Sequence, residues 1–251
     1  MSGHSKWASI KHKKGAADAK RGQLFSKLSR AIIVAAREGG PDPSGNLALQ
    51  NAIEKARSYS MPKENIERAI ARGSGADADA ASYETVIYEG YGPSGVAVIV
   101  EALTDNRNRT ASDVRHAFDK NAGNLGGTGA VSWLFERRAI VLVAADGVDE
   151  DALMLAAADG GADDVQLDGS TFQIVAPPEN LASVREAIEA AGYAVDSAEL
   201  TMVPKTTIEV GDEAAAKKVL RLIDQLEESD DVQDVFANFD IPERVLEAVA
   251  P

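Results

Sequence analysis

Apolar residues recur at helical spacing in the first third of the chain. Leu24, Leu28, Ile32 and Ala35 would share one face of a helix that ends at residues 39–41, Gly-Gly-Pro. Two shorter apolar stripes follow at residues 49–56 and 66–70, and Pro62 would occupy the first turn of the third helix. The pattern predicts a three-helix bundle, with residues 73–82 as a linker. Six basic residues would lie on its outer surface: Arg37, Lys55, Arg57, Lys63, Arg68 and Arg72.

The period changes from 3.6 to 2 after this linker. Residues 83–91 alternate and are rich in Thr, Val, Ile and Tyr, residues 92–95 (GPSG) form a turn, and residues 96–100 are apolar, which predicts a β-hairpin. The Thr110 to Asp113 segment has the signature of a helix cap and predicts that a helix begins there. Further strands are predicted at 131–135, 206–210 and 232–239, with a helix at 214–226.

A self-contained series of elements lies between these strands. Its order is strand 139–143, helix 151–158, strand 164–167, strand 172–175, helix 181–191 and strand 194–202. This βαββαβ order is typical of the ferredoxin-like unit. We therefore predict an α+β protein of three domains: a helical bundle (1–75), a discontinuous α/β domain (82–136 plus 205–251) and a ferredoxin-like domain (137–204) inserted into it.

Charge divides the chain into two unequal parts. The 251 residues have a net charge of −14, yet residues 1–72 carry +8 and residues 73–251 carry −22. A polyanion would be attracted to the first part by counterion release and repelled by the second. The opposing interpretation is that these Lys and Arg side chains only form the solvated face of a helix.

The basic amino-terminal segment supplies most of the candidate nucleic-acid-binding residues. Trp7 lies among lysines, where its indole would either stack on a base or pack against the first helix. The candidates in this segment are His4, Lys6, Trp7, Lys11, His12, Lys13, Lys14, Lys20, Arg21 and Lys27.

A second candidate site is the segment 104–110 (TDNRNRT), predicted to be a loop between a strand and a helix. Arg107, Asn108 and Arg109 would offer donors to phosphates and base edges, and Arg115 would lie in the first turns of the helix. The alternative is that these arginines pair with acids of the protein itself. An arginine that binds a partner would be exposed in the free protein, whereas one that holds the loop would be partly buried.

Catalytic and metal-binding patterns are weak. The chain has no cysteine, and its three histidines lack the spacing of a metal site. Adjacent acids such as Asp230 and Asp231 would diverge and are predicted to be solvated. The glycine-rich residues 125–129 (LGGTG) lack a following Lys-Ser/Thr, which favours a plain loop over a phosphate cradle. We therefore expect no enzymatic activity, cofactor, metal or small-molecule substrate.

The apolar runs and the cysteine content of the chain predict its cellular location. The longest apolar runs, 31–36 and 139–145, are far shorter than the roughly 20 residues that cross a bilayer. The absence of cysteine suits a reducing compartment. We expect a cytoplasmic protein without a membrane partner.

Several motifs closely resemble the YebC/PmpR family of bacterial proteins, which has a mitochondrial translational-activator relative. They lie at residues 2–14 (SGHSKWASIKHKK), 18–21 (DAKR), 25–30 (FSKLSR), 61–70 (MPKENIERAI), 88–97 (YEGYGPSGVA) and 103–110 (LTDNRNRT). The resemblance implies three domains, the third inserted into the second, and no enzyme activity. One departure is the segment 127–130 (GTGA), where a serine would be expected after the second glycine.

The resemblance implies two functions, DNA-binding transcriptional regulation and ribosome-associated translation. We therefore predict a nucleic-acid-binding regulator of gene expression, with DNA as the target by resemblance. A translation factor on ribosomal RNA is the first alternative, favoured because the cations cluster ahead of the bundle and not on one recognition helix. The second alternative is a protein-binding scaffold that uses the acidic α/β body.

Overall fold

The computed structural model of the protein describes residues 18–75 and 83–249. The three predicted amino-terminal helices are present, as α1 (Asp18–Gly39), α2 (Leu47–Ser58) and α3 (Lys63–Ser74). Their apolar stripes meet in one core that includes Leu28, Ile32, Leu49, Ile53 and Ile66.

The turn between α1 and α2 is held by Asn46. Its side-chain oxygen accepts a hydrogen bond from Leu49 N at 3.1 Å and so caps α2. Its Nδ2 donates to Ala35 O at 2.7 Å and to Gly40 O at 2.8 Å. One buried side chain therefore satisfies the end of one helix and the start of the next.

Gly73 was predicted to begin a linker, but it lies inside α3 and is buried. A Cβ at this position would collide with Ile33 O and would lie 2.9 Å from Ala36 Cβ. Glycine therefore allows α3 to pack closely on α1. Residues 76–82 of the predicted linker lie outside the described residues.

The remaining chain forms two four-stranded antiparallel sheets, one two-stranded parallel sheet and helices. In chain order its elements are β1 (Glu84–Tyr91), β2 (Ala97–Thr104), α4 (Arg107–Lys120), β3 (Asn124–Leu125), β4 (Phe135–Ala144), α5 (Glu150–Asp159), β5 (Asp164–Asp168), β6 (Thr171–Ala176), α6 (Leu181–Ala190), β7 (Ser197–Pro204), β8 (Ile208–Glu209), α7 (Glu213–Glu227), β9 (Val232–Ala237), β10 (Phe239–Asp240) and α8 (Glu243–Val249). This content of helices and antiparallel sheets confirms the predicted α+β class.

The first sheet has the strand order β3-β1-β2-β9. The predicted hairpin pairs β1 with β2 from Glu84 opposite Thr104 to Tyr91 opposite Ala97. Helices α4 and α7 pack on one face of the sheet, in a core with Phe118 and Leu222 near its centre. Strand β9 returns from the end of the chain to pair with β2, so residues far apart in sequence share this sheet.

The second sheet has the order β5-β6-β4-β7, as a βαββαβ series of ferredoxin-like topology requires. Strand β4 lies between β6 and β7, and α5 and α6 pack against the sheet through Leu153, Val184 and Ile188. How the units divide into independently folding domains stays a prediction.

The predicted strand at 131–135 is wrong. Residues Ser132–Leu134 form a short 3₁₀ turn, and β4 begins only at Phe135. The backbone N–H groups of Val131 and Ser132 both donate to the carboxylate of Glu89 at 2.8 Å. Since those donors are occupied, the segment cannot use them in a strand ladder. The predicted strand at 206–210 is reduced to β8, Ile208–Glu209.

Candidate nucleic-acid interface

The candidates His4, Lys6, Trp7, Lys11, His12, Lys13 and Lys14 lie outside the described residues. The backbones of Lys20 and Arg21 lie in the first turns of α1. The binding role of all nine stays a prediction.

One face of α1 docks on the carboxyl end of α7. Gln23 Nε2 donates to Glu228 O, Lys27 Nζ donates to Glu227 O, and Arg30 Nη1 donates to Asp230 O at 2.7 Å. The last carbonyls of a helix lack internal partners and carry partial negative charge, so these donors are well placed. Lys27, predicted to contact nucleic acid, is therefore half-buried in a contact within the protein.

Asp231 is the centre of a polar network behind this contact. Its Oδ2 receives Arg109 Nη2 at 2.7 Å and the Thr110 hydroxyl at 2.8 Å, and its Oδ1 receives Arg30 Nη1 at 3.3 Å. The Thr104 hydroxyl lies 2.8 Å from that of Thr110. The network joins α1, β2, α4 and the turn before β9, and so connects the bundle to the first sheet.

The prediction that Asp231 is solvated is wrong, because only 6% of the residue is exposed. Burial opposes its ionisation, but the hydrogen bonds from Arg109 and Thr110 outweigh that effect and lower the pKa of the carboxyl below its ordinary value. The residue is thus held as an anion inside the protein.

The segment predicted as a loop at 104–110 is mostly helical. Helix α4 begins at Arg107, and its cap is Asn106, whose side chain accepts a hydrogen bond from Arg109 N at 3.1 Å. Thr110, predicted to be the cap, is buried in the first turns with its hydroxyl in the Asp231 network. Asn and Thr both commonly cap helices. Here Asn106 is the cap, because the hydroxyl of Thr110 bonds Asp231 inside the helix.

The four candidates of this segment differ in their contacts. The Arg109 side chain is 47% exposed but bonds both Asp231 and Asp105 at 2.7 Å, as in the alternative where the arginine pairs with the body. Arg107 is 64% exposed and its nearest acid, Glu84, is 3.6 Å away. Asn108 and Arg115 are exposed, seven residues apart on α4.

Because of these contacts, substitutions of Arg107 and Arg109 should have different effects on stability. We expect Arg107→Ala to leave the melting temperature nearly unchanged while weakening nucleic-acid binding, because its ion pair with Glu84, at 3.6 Å, joins two exposed side chains. Arg109→Ala should lower the melting temperature, since it deprives buried Asp231 of a donor. Thermal unfolding of both variants checks this, with Lys120→Ala, an exposed cation at the end of the same helix, as control. Equal melting temperatures for the two variants would contradict the structural role of Arg109.

Exposed cations remain on the bundle. Arg57, Lys63, Arg68 and Arg72 are exposed as predicted. Lys55 is not, because its Nζ lies 2.6 Å from Asp234 Oδ1 of β9. Burial favours the neutral amine, but Asp234 and Glu199 outweigh it and raise the pKa of Lys55 above its ordinary value. Lys27, Arg30 and Lys55 thus dock the bundle on the acidic body.

The glycine-rich loop at 125–129 is occupied by a group of the protein itself. The Glu89 carboxylate accepts the N–H groups of Gly129, Val131 and Ser132, each at 2.8 Å. Burial opposes its ionisation, but these three N–H groups lower the pKa of Glu89 below its ordinary value. Within the loop, the N–H groups of Gly126 and Gly129 are therefore bonded to Glu89, which favours the predicted plain loop over a phosphate cradle.

Within residues 18–75 and 83–249 the side chains form no cluster of three or more metal-ligating groups. No helix in that part of the chain has the length and apolar character needed to cross a membrane.

Sequence reasoning missed Asp231, Glu89, Gln23 and Arg30 as structural polar groups. Glu89 does carry a signal, since it is an acid in the alternating strand 83–91 next to apolar and aromatic positions. Asp231 has none of that kind, because its partners Thr110 and Arg109 lie more than a hundred residues away.

The described residues thus form a three-helix bundle docked through its cations on an acidic α+β body. The chain belongs to the TACO1/YebC family: residues 5–76 match the TACO1/YebC protein N-terminal domain, and residues 83–239 match the TACO1/YebC second and third domain. The resemblance stated from the motifs is confirmed.

Relatives and a solved structure agree over the full length. Proteins named probable transcriptional regulatory protein are 57% identical in Rubrobacter xylanophilus, over 100% of both chains, and 56% identical in Beutenbergia cavernae, over 98% of both chains. The crystal structure of a conserved hypothetical protein from Aquifex aeolicus is 52% identical, with a TM-score of 0.84 over 95% of this chain and 98% of that one.

Proposed function

We propose that the protein is a non-enzymatic, cytoplasmic regulator of gene expression that binds nucleic acid through its basic amino-terminal part. The observation that carries the proposal is the division of charge, +8 in residues 1–72 against −22 in the remainder. The body holds Lys27 through the backbone carbonyl of Glu227, and it holds Arg30 and Lys55 through the carboxylates of Asp231 and Asp234. The side chains of Arg57, Lys63, Arg68 and Arg72 stay exposed. A polyanion would therefore approach from the bundle side.

Two targets have separate support. The relatives' names support DNA and transcription. The surface of α3 supports RNA, because Lys63, Arg68 and Arg72 alternate with Glu64 and Glu67, and Lys63 lies 3.6 Å from Glu67. A helix of mixed sign is poorly suited to the major groove of DNA, whose phosphates lie on both sides of it. Ribosomal RNA would supply folded and single-stranded sites that need no recognition helix.

The salt dependence of binding tests the proposal. If about five side chains neutralise phosphates, the logarithm of affinity should fall against the logarithm of salt with a slope near −4.5 for a duplex and about −3.5 for a single strand. The combined variant Lys11→Gln, Lys13→Gln, Lys14→Gln should flatten the slope. Anisotropy of labelled duplex DNA, duplex RNA and single-stranded RNA gives both the slope and the preferred target.

The control removes equal charge from the body, as Lys120→Gln, Lys217→Gln, Lys218→Gln, all three exposed. It should leave the slope unchanged. An equal effect of both triple variants would place the contact outside the amino-terminal segment. Absence of binding to all three nucleic acids at low salt would refute the proposed function. Binding of a partner protein by the isolated body would favour the scaffold alternative.

A further inference from the structure

Two aromatic side chains, Trp133 and Tyr91, are exposed together on the acidic body. Trp133 is 64% exposed and Tyr91 is 38% exposed. Trp133 Nε1 donates to Ala130 O at 3.2 Å, and Tyr91 Oη donates to the same oxygen at 3.1 Å. Because both polar groups share one acceptor, the two rings are held next to each other at the surface.

The carbonyl that they share is itself held in place. The N–H groups on either side of Ala130, from Gly129 and Val131, donate to the buried Glu89 carboxylate. Val131 is fully buried in a small core on this face of the first sheet, and Ala130 and Leu134 pack against that core. The rings are therefore presented by a rigid support, and rigid aromatic side chains lose little conformational entropy when they bind.

A cation is bonded to the backbone of Trp133. Lys205 is exposed, and its Nζ donates to Trp133 O at 3.2 Å, while its backbone N–H donates to Leu134 O at 2.8 Å. An aromatic face with a neighbouring cation is the arrangement that binds an unpaired base and its phosphate. It also offsets locally the negative charge of the body, which would otherwise repel a phosphate.

The position of this surface relates it to the bundle. Tyr91 pairs with Ala97 at one end of the β1–β2 hairpin, whereas Arg30 contacts Leu103 O near the other end. The six residue steps between Ala97 and Leu103 span roughly 20 Å at about 3.3 Å per residue. The aromatic surface and the basic bundle would therefore bind separate parts of one extended strand of nucleic acid.

We propose that Trp133, Tyr91 and Lys205, together the aromatic platform, bind an unpaired base of single-stranded nucleic acid by stacking. The inference rests on the proposed function and adds to it a second contact, which distinguishes single-stranded nucleic acid from a duplex. A duplex would not stack on the platform, because its bases already stack on one another. A protein ligand is the competing occupant, but it gives no role to the cation at Trp133 O.

Trp133 fluorescence provides a direct test. The chain has two tryptophans, so Trp7→Phe leaves Trp133 as the sole indole and keeps an aromatic ring at position 7. All measurements use the full chain with this background. Oligouridylate and oligothymidylate of about 12 nucleotides, within the roughly 4–16 that single-strand-binding folds cover, serve as probes. We expect both to quench Trp133 at the concentrations where anisotropy of the labelled probe reports binding, and a duplex of equal length to bind without quenching.

Variants separate stacking from support of the loop. Trp133→Leu should weaken single-strand binding about fivefold or more, as loss of one base stack does, without changing the salt slope. Trp133→Phe removes the bond to Ala130 O but keeps a ring, and should retain most of the affinity. Lys205→Gln should reduce the magnitude of the salt slope by about 0.7. Leu155→Ala is the matched control, an apolar side chain that is 66% exposed in the second sheet unit.

The outcomes distinguish this inference from the proposed function. Binding by anisotropy with unchanged Trp133 emission, and with Trp133→Leu equal to Leu155→Ala, would overturn the platform and leave the proposed function standing. An equal loss in Trp133→Leu and Trp133→Phe would also overturn it, since the hydrogen bond and not the ring would then matter. No binding of any probe would refute both. A difference between oligouridylate and oligothymidylate identifies RNA or DNA as the source of the base.

Discussion

Asp231→Ala is expected to lower the free energy of unfolding by about 3–5 kcal/mol, the cost of removing one partner from a buried charged network. The carboxylate accepts hydrogen bonds from Arg109, Thr110 and Arg30, and the first two contacts are 2.7 and 2.8 Å. Its loss leaves the Thr110 hydroxyl buried with one fewer partner and the Arg30 guanidinium, 19% exposed, without its acid. Urea unfolding measures the change.

The neighbouring acid offers a matched control. Asp230→Ala removes the same charge from the same turn, but the side chain is exposed, and among the described side chains it accepts a hydrogen bond from Gln23 at 3.0 Å. We expect a change below about 0.5 kcal/mol, as is usual for an exposed side chain. Comparable losses in the two variants would show that burial of Asp231 is not what stabilises the docked bundle.

The stability difference between the wild-type protein and Asp231→Ala should depend on pH, and the sign of that dependence is defined. The folded protein lowers the pKa of Asp231, so the unfolded chain binds the proton more readily. The stabilisation is complete above the ordinary value of 3.8 and is lost as the pH falls through the lower pKa of the folded state. The gap in stability between the wild-type protein and Asp231→Ala should therefore narrow on acidification below that value.

Glu89→Ala is expected to cost about 2–4 kcal/mol, since it leaves three backbone donors without their acceptor and each buried one costs roughly 1–3 kcal/mol. Those donors are Gly129, Val131 and Ser132. The lower end of the range applies if water reaches Gly129, which is exposed. Unfolding in urea measures the free energy, and hydrogen exchange at the three amides locates the loss.

Glu84→Ala is the control for this variant, because it removes an exposed acid from the same strand, 3.6 Å from Arg107. It should change stability by less than about 0.5 kcal/mol. Glu89→Gln should lie between the two, since an amide keeps one acceptor oxygen. Unchanged amide exchange at Val131 in Glu89→Ala would contradict the role of the carboxylate. The loss should also loosen the carbonyl of Ala130 and so reduce single-strand binding by the aromatic platform.

Most helices and strands were predictable because each is encoded within a short window. The 3.6-residue period through Leu24, Leu28 and Ile32 defines α1, and the alternation in residues 83–91 defines β1. The βαββαβ order in turn predicts the second sheet, because few topologies join such a series. The charge division of the chain is likewise a property of the sequence alone.

The environment of each charge was decided by tertiary structure. Lys27 was predicted to contact nucleic acid, and the sequence left open whether Arg109 does so or pairs with an acid of the protein. The fold brings α7 against Lys27 and Asp231 against Arg109 from residues at least 122 positions away. The bond from Thr110 to Asp231, 121 residues away, holds Thr110 inside α4, which is capped by Asn106 and begins at Arg107. The Glu89 carboxylate, 42 residues before Val131, binds backbone donors where a strand was predicted and a turn is found.

Periodicity records which face of an element is apolar, and so the sequence determined the elements and their buried sides. It does not record which polar groups meet across that face, because the strength of an ion pair or hydrogen bond depends on distance and burial that exist only in the folded chain. The sequence therefore determined where the cations of this protein are concentrated. Only the fold decided which of them hold the bundle to the body and which stay exposed.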